Sequence, residues 1–133
     1  RPPQLDLDLV REWIVKAHSD FDAVQQMYNE EPALLHASWN WGGFDWEDAL
    51  GAAAHTGGVE IAEFLIEKGV RMTLPAAVML GLLPVVQSII DAYPATLHST
   101  GAHGIPLMVH ARQGGAHASE VLVYLQTMLS QTE

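Results

Sequence analysis

The sequence predicts an all-α chain, a single domain built as a short solenoid of about four degenerate helix-turn-helix repeats. Three observations predict it. Four segments share one layout: a short apolar helix, a tight turn that often holds Gly, and a longer amphipathic helix. Within the longer helices, apolar residues recur at spacings of three and four, the signature of a helix with one buried face. Two of the turn glycines, Gly81 and Gly114, stand 33 residues apart, a period at which whole helix pairs repeat.

The first copy runs from Leu9 to Ala17, turns at His18-Ser19-Asp20 and continues from Phe21 to Glu30, with Phe21, Val24, Met27 and Tyr28 as its apolar set. The second, Asp48 to Gly69, is the clearest. Val59, Ile61, Ala62, Leu65 and Ile66 form its apolar face, and Glu60, Glu63 and Glu67 a wet stripe. A third places Leu74 to Gly81 before Leu83 to Tyr93, with Val85, Val86, Ile89 and Ile90 turned inward. The fourth opens on Ile105-Pro106-Leu107, turns at Gly114-Gly115, and carries Val121, Leu122, Leu125, Met128 and Leu129. The approximate repeats are 5–37, 46–72, 74–101 and 104–130. No such pair buries its apolar face alone, so each needs a stacked neighbour. Gly51, Ala52, Ala53 and Ala54 are small enough to let inner helices approach. Pro32, Pro84 and Pro94 sit at helix ends or first turns, where a missing N–H costs little.

The second copy resembles the ankyrin consensus, with Leu50 in the Leu place, Ala53 and Ala54 as the Ala pair, Gly57 as the turn glycine and Gly69 ending the second helix. Over nearly its whole length the chain also looks like a group of bacterial ankyrin-repeat proteins. These share a WDWGG-DWE-ALG-A-H loop and a PHGIPL-HA segment. Here they read Trp39-Asn40-Trp41-Gly42-Gly43-Phe44-Asp45-Trp46-Glu47-Asp48-Ala49-Leu50-Gly51, and His103-Gly104-Ile105-Pro106-Leu107 with His110-Ala111. The chain departs at Asn40 and Phe44, and Ala102 replaces the Pro. The resemblance implies the ankyrin fold and places the interest in these two stretches.

Composition narrows the function classes. At 133 residues, with 49% apolar and 17% charged residues, the chain reads as globular. Without cysteine it has no disulfide, thiolate metal cage or cysteine nucleophile. The net charge is −10, and the six basic residues are scattered, so nothing is clustered to displace counterions from a phosphate backbone. Nucleic acid and anionic membranes are therefore poor partners, and no apolar run approaches the ~20 residues that span a bilayer. The chain begins Arg1-Pro2-Pro3 and not with Met, so an upstream piece is expected to have been removed; cytoplasmic and exported locations both fit.

The repeat spacing is uneven. Phe21, Val59, Leu83 and Ala116 are expected to open the outer helices, giving gaps of 38, 24 and 33. Two long loops, 36–47 and 95–104, therefore flank a connection, 70–73, that is almost absent. A walled pocket floored by the inner helices of the second and third copies is expected there. The first loop holds three of the four tryptophans, Trp39, Trp41 and Trp46, with Phe44 and Asp45 between them. Those rings either plug the gap between repeats or face a ligand. The second loop carries His103, as a structural turn residue or a binding one. His55 ends an inner helix, and His110 stands where the consensus prefers a small packed Ala. A buried imidazole must satisfy both ring nitrogens, on backbone carbonyls or on a carboxylate such as Asp45 or Asp48. The candidate binding residues are thus Trp39, Trp41, Phe44, Asp45, Trp46, His55, His103 and His110.

Seven histidines invite a metal reading, but the spacing does not carry one. HExxH and His-x3-His on one helix face are both absent, and the helix start at Ile105-Pro106 separates His103 from His110. A metal site would have to be assembled across repeats, so neither metal nor cofactor is expected. GxSxG, phosphate-loop and dinucleotide fingerprints are missing, and no catalytic residue is assigned. The first functional expectation is a recognition module that binds a protein partner through a concave face and long finger loops, its acidity favouring a neutral or basic partner. The alternative is a small-ligand or acid-base pocket between loops 36–47 and 95–104. Convergence of Asp45, His55, His103 and His110 separates the two. Self-association through the last helix, where Val123 and Tyr124 lie beside the core set, is a third expectation.

Overall fold

Four pairs of helices follow one another along residues 1–132, the part of the chain described by this computed structural model. They are α1 (Leu7–Lys16) with α2 (Phe21–Glu30), α3 (Ala49–Thr56) with α4 (Val59–Glu67), α5 (Leu74–Met79) with α6 (Leu83–Ala92), and α7 (Leu107–Gln113) with α8 (Ser119–Gln131). A two-stranded antiparallel hairpin, β1 (Ser38–Gly42) and β2 (Asp45–Asp48), stands between the first pair and the second. The protein is mostly helical with one small sheet.

Local chemistry sets the helix starts. Carboxylates of Asp6, Asp20 and Asp48 accept the backbone N–H groups of Leu9, Ala23 and Gly51 at 3.2, 3.0 and 2.7 Å, and the Thr73 hydroxyl caps α5. Each such cap stabilises its helix by about 1 kcal/mol. Pro75 and Pro84 occupy the first turns of α5 and α6, where their fixed φ suits the helix.

Among the short helices α1 packs on α3, α3 on α5 and α5 on α7, and α3 also meets α7, while α2 rests on α4 and α6 on α8. Central α3 has Leu50, Ala52, Ala53 and Ala54 fully buried, the small residues allowing neighbours on both sides. One apolar cluster gathers Trp13, Ile14, Leu34, Leu50, Leu65 and Met79. A second gathers Val78, Val86, Ile90, Leu97, Leu107 and Leu125. Burial of each large aliphatic side chain contributes roughly 1.5–3 kcal/mol.

Three features depart from the sequence reading. Residues 38–48 form a hairpin where only a loop was expected, pairing Ser38 with Asp48, Trp39 with Glu47, Asn40 with Trp46 and Gly42 with Asp45. The register shifts between Asn40 and Gly42, leaving Trp41 as the extra residue, and Gly42 and Gly43 turn the chain at φ 136° and 55°. The fourth outer helix begins at Ser119, because Gly115–Ala118 forms a 3-10 turn, and not at Ala116. At the last helix, Val123 is exposed but Tyr124 packs against the second apolar cluster. Among the described residues, no helix is long and apolar enough to cross a membrane.

The two glycines that set the repeat period also mark the closest backbone approaches. A Cβ at Gly114 would stand 2.1 Å from the Met79 carbonyl oxygen and 2.7 Å from the Ala118 Cβ, and one at Gly81 would meet the His117 carbonyl. Gly114 has an ordinary helical φ of −69°, so only this contact requires glycine. Gly114→Ala is expected to lower the unfolding free energy by about 3 kcal/mol through overpacking. Gly115→Ala, at φ 57° in open space, is expected to lose only about 1 kcal/mol. Urea denaturation of both variants checks this; a Gly114→Ala midpoint at or above that of Gly115→Ala would refute the tight approach.

Candidate carboxylate-histidine centre

Strand β2 alternates its side chains. Asp45 and Glu47 share one side of the strand, and Trp46 lies on the other. Glu47 is 2% exposed, while Trp46 is 61% exposed. A carboxylate taken out of water needs donors on both oxygens. Around Glu47 they come from four places in the chain. Trp41 Nε1–H, aimed inward at the bulge, donates to Glu47 Oε1 at 2.9 Å. His18, in the turn after α1, brings Nε2 to 3.3 Å from Oε1. His55, in the last turn of α3, brings Nε2 to 2.9 Å from Oε2. His103, from the second long loop, brings Nε2 to 3.4 Å from Oε1.

Two of the imidazoles are held from behind. His18 Nδ1–H donates to the Ile14 carbonyl at 2.8 Å. His103 Nδ1–H donates to Asp45 Oδ2 at 2.7 Å, and its backbone N–H donates to Asp45 Oδ1 at 2.8 Å. His103 is the one residue other than glycine with positive φ (62°) among those described, a backbone fixed by this double bond to Asp45. The rings pack edge to face, His18 on His55 at 5.0 Å and His55 on His103 at 5.2 Å between centroids.

The electrostatics follow from the bonds. Burial pushes the Glu47 carboxyl up, but the bonds from His18, His55 and Trp41, with the His18 charge, outweigh it and hold it far below the carboxylate range. The bond to Glu47 raises His18 against the opposing effect of burial. Asp45 is lowered by its bond from the His103 side chain. Burial raises Asp48 and lowers His110.

Beside this centre, between the hairpin and the second long loop, lies a cleft of about 360 Å³ lined by Phe44, Trp46, Glu47, Thr73, Thr100 and His110 among others. It adjoins a smaller space bounded by Asp45 and Ala102. His110 is fully buried. Its Nδ1–H donates to the Pro106 carbonyl at 2.8 Å, and its Nε2 has no partner among the described residues.

The sequence-predicted residues thus divide. Asp45, His55 and His103 converge: His55, His103 and Trp41 share the Glu47 carboxylate, and Asp45 holds His103. His110 lines the neighbouring cleft and contacts none of them through a hydrogen bond. Trp39 packs partly buried against the first apolar cluster, where it fills a gap. Phe44 and Trp46 are exposed on the hairpin. The carboxylate at His55 is neither Asp45 nor Asp48, as expected from sequence; it is Glu47, while Asp48 caps α3 and Asp45 holds His103. Glu47 and His18 were both missed. A signal for His18 existed: it precedes Phe21 by three residues as His55 precedes Val59 by four, and the packing of α1 on α3 brings the two rings side by side. Comparison with protein-family models, with curated proteins and with solved structures returns no match.

Glu47→Ala removes the shared acceptor, and is expected to lower the unfolding free energy by about 3 kcal/mol. Asp48→Ala, which removes one helix cap, is expected to lose about 1 kcal/mol. Denaturation midpoints read the order; a smaller loss at Glu47 than at Asp48 would show that the buried carboxylate does not hold the hairpin in place.

Proposed function

We propose that the chain is an ankyrin-type repeat module that takes a small neutral or cationic molecule into the cleft between its finger loops, 36–47 and 95–104. The observation that carries this reading is the clasp between the fingers. Asp45 and His103, 58 residues apart in sequence, are joined by two short hydrogen bonds, so a cleft with two walls replaces an open groove. The ankyrin assignment is supported by the four helix pairs, the inner helices packing in chain order, and the glycines at the repeat contacts.

The lining selects the ligand's chemistry. Phe44 and Trp46 offer aromatic faces, on which a cation is favoured. Glu47 and Asp48 put carboxylates into the wall, and the net charge of −10 disfavours anions further. His110, its Nδ1–H held by the Pro106 carbonyl, closes the inner end of the cleft as a buried imidazole. An amine or hydroxyl is the complementary group. A protein partner is the second reading, favoured by the complete exposure of Phe44 at the hairpin tip with Trp46 beside it. The same cleft would then receive a lysine or arginine side chain.

Tryptophan emission titrated with short amines, amino alcohols, polyols and carboxylic acids tests the reading. A saturable change with amines or hydroxyl compounds, absent with the acids and abolished by Ala102→Leu, which fills the cleft, is expected. No saturable response from any of them, or one that survives Ala102→Leu, would sink the small-ligand reading.

A further inference from the structure

We propose that His18, Glu47, His55 and His103 form a binding site for one first-row divalent transition-metal ion, of which zinc matches the donors best. The proposal stands on the centre itself and does not depend on what occupies the cleft.

The first argument is dimensional. One donor atom from each of the four residues lies within 4.8 Å of all the others. A tetrahedral zinc ion with bonds of 2.0–2.1 Å has edges of about 3.3 Å between its ligand atoms. From Glu47 Oε1 the edges measure 3.3 Å to His18 and 3.4 Å to His103, while His55 stands 2.9 Å from the other oxygen, Oε2. The carboxylate-to-imidazole distances are those of a coordination sphere, and the imidazole donors lie within 4.8 Å of one another, close enough to draw in around an ion.

The second argument concerns protons. A carbonyl oxygen can only accept, so His18 Nδ1 must carry hydrogen to reach Ile14, and His103 Nδ1 is placed alike against Asp45. In the neutral ring this leaves both Nε2 atoms as lone pairs aimed at a carboxylate oxygen. A lone pair facing a carboxylate is unfavourable, whereas the two together are what a cation between them requires. The surroundings supply the outer hydrogen bonds that metal ligands use. A backbone carbonyl and a carboxylate fix two imidazoles, and Trp41 Nε1–H supports the ligating carboxylate.

The donor set also selects the ion. Three imidazoles and one carboxylate without a thiolate suit zinc and its borderline neighbours; calcium and magnesium prefer oxygen. The site is reachable, because the His18 and His103 side chains are 25% and 34% exposed while Glu47 closes the inner side.

The test is titration of the chelator-treated full chain with Co2+, read by visible absorption, and with Zn2+, read by calorimetry. One equivalent of Co2+ with the absorption of a four-coordinate site, displaced by Zn2+, is expected. His18→Ala and His103→Ala should weaken Zn2+ binding at least about 100-fold, and Asp45→Asn, acting only through His103, about 10- to 100-fold. His103 lies on an exposed loop, and far-UV circular dichroism confirms that its variant is folded. Replacing the exposed His36, His98 and His117 together by Ala should leave the affinity unchanged. Absence of saturable binding by the native sequence overturns the proposal. So does unchanged binding in folded His18→Ala and His103→Ala, or loss of binding in the His36, His98 and His117 variant.

Discussion

The burial of one carboxylate, Glu47, organises this molecule's functional end. Moving a carboxylate out of water costs several kcal/mol, and only well-placed donors offset that cost. The hairpin that carries Glu47 supplies one donor, Trp41. The rest come from the turn after α1, the last turn of α3, and a loop more than fifty residues further along. A single side chain therefore ties the first helix pair, α3 and the loop before α7 to the hairpin. The second and fourth helix pairs also meet directly, α3 packing on α7, so the bonds to Glu47 reinforce a contact that packing already makes.

The cleft is a by-product of the same arrangement and of uneven loop length. The connection from α4 to α5 is short, so no third finger rises between the hairpin and the second long loop. Asp45 then draws His103 across the gap, and the residues behind it, Thr100 to Ala102, become the opposite wall. Gly101 is part of that wall because a Cβ there would lie 2.7 Å from His110 Nε2. The wall thus rests on a buried imidazole whose second nitrogen is unused.

Sequence pattern carried the helices and missed the centre, for reasons visible in particular residues. Val59, Ile61, Ala62 and Leu65 repeat with the helix period, so α4 was legible, as were the turn glycines. The hairpin was hidden because Trp39, Asn40 and Trp41 straddle a bulge that breaks the period of two, and two successive glycines read equally well as a loose loop. With no strand assigned, Asp45 and Glu47 could not be placed on a common face, and the sequence pointed to Asp45 or Asp48 as the carboxylate. His18 looked like an ordinary turn residue. Spacing along the chain does not reveal a set of donors drawn from positions 18, 47, 55 and 103, because only the tertiary packing makes them neighbours.

The charge balance at the centre shows why its occupant matters to the fold as well as to function. Two carboxylates, Asp45 and Glu47, meet there, and His18 and His55 stand at the C-terminal ends of α1 and α3, where helix dipoles present partial negative charge. All of these favour a positive charge at one point. Among the described residues, no Lys or Arg pairs with either carboxylate; the one such ion pair, Lys16 with Asp20, lies elsewhere. The compensating charge must come from protonated imidazoles or from a bound cation. A positive charge on each ring would stand 5.0 Å (His18 to His55) and 5.2 Å (His55 to His103) from its neighbour, and that repulsion opposes the arrangement that the bonds to Glu47 favour. One divalent ion supplies the same charge at a single point and leaves the rings neutral. It would also bind the folded state alone, since the unfolded chain has no such convergence, so its affinity would add directly to the stability of the hairpin and the clasped finger.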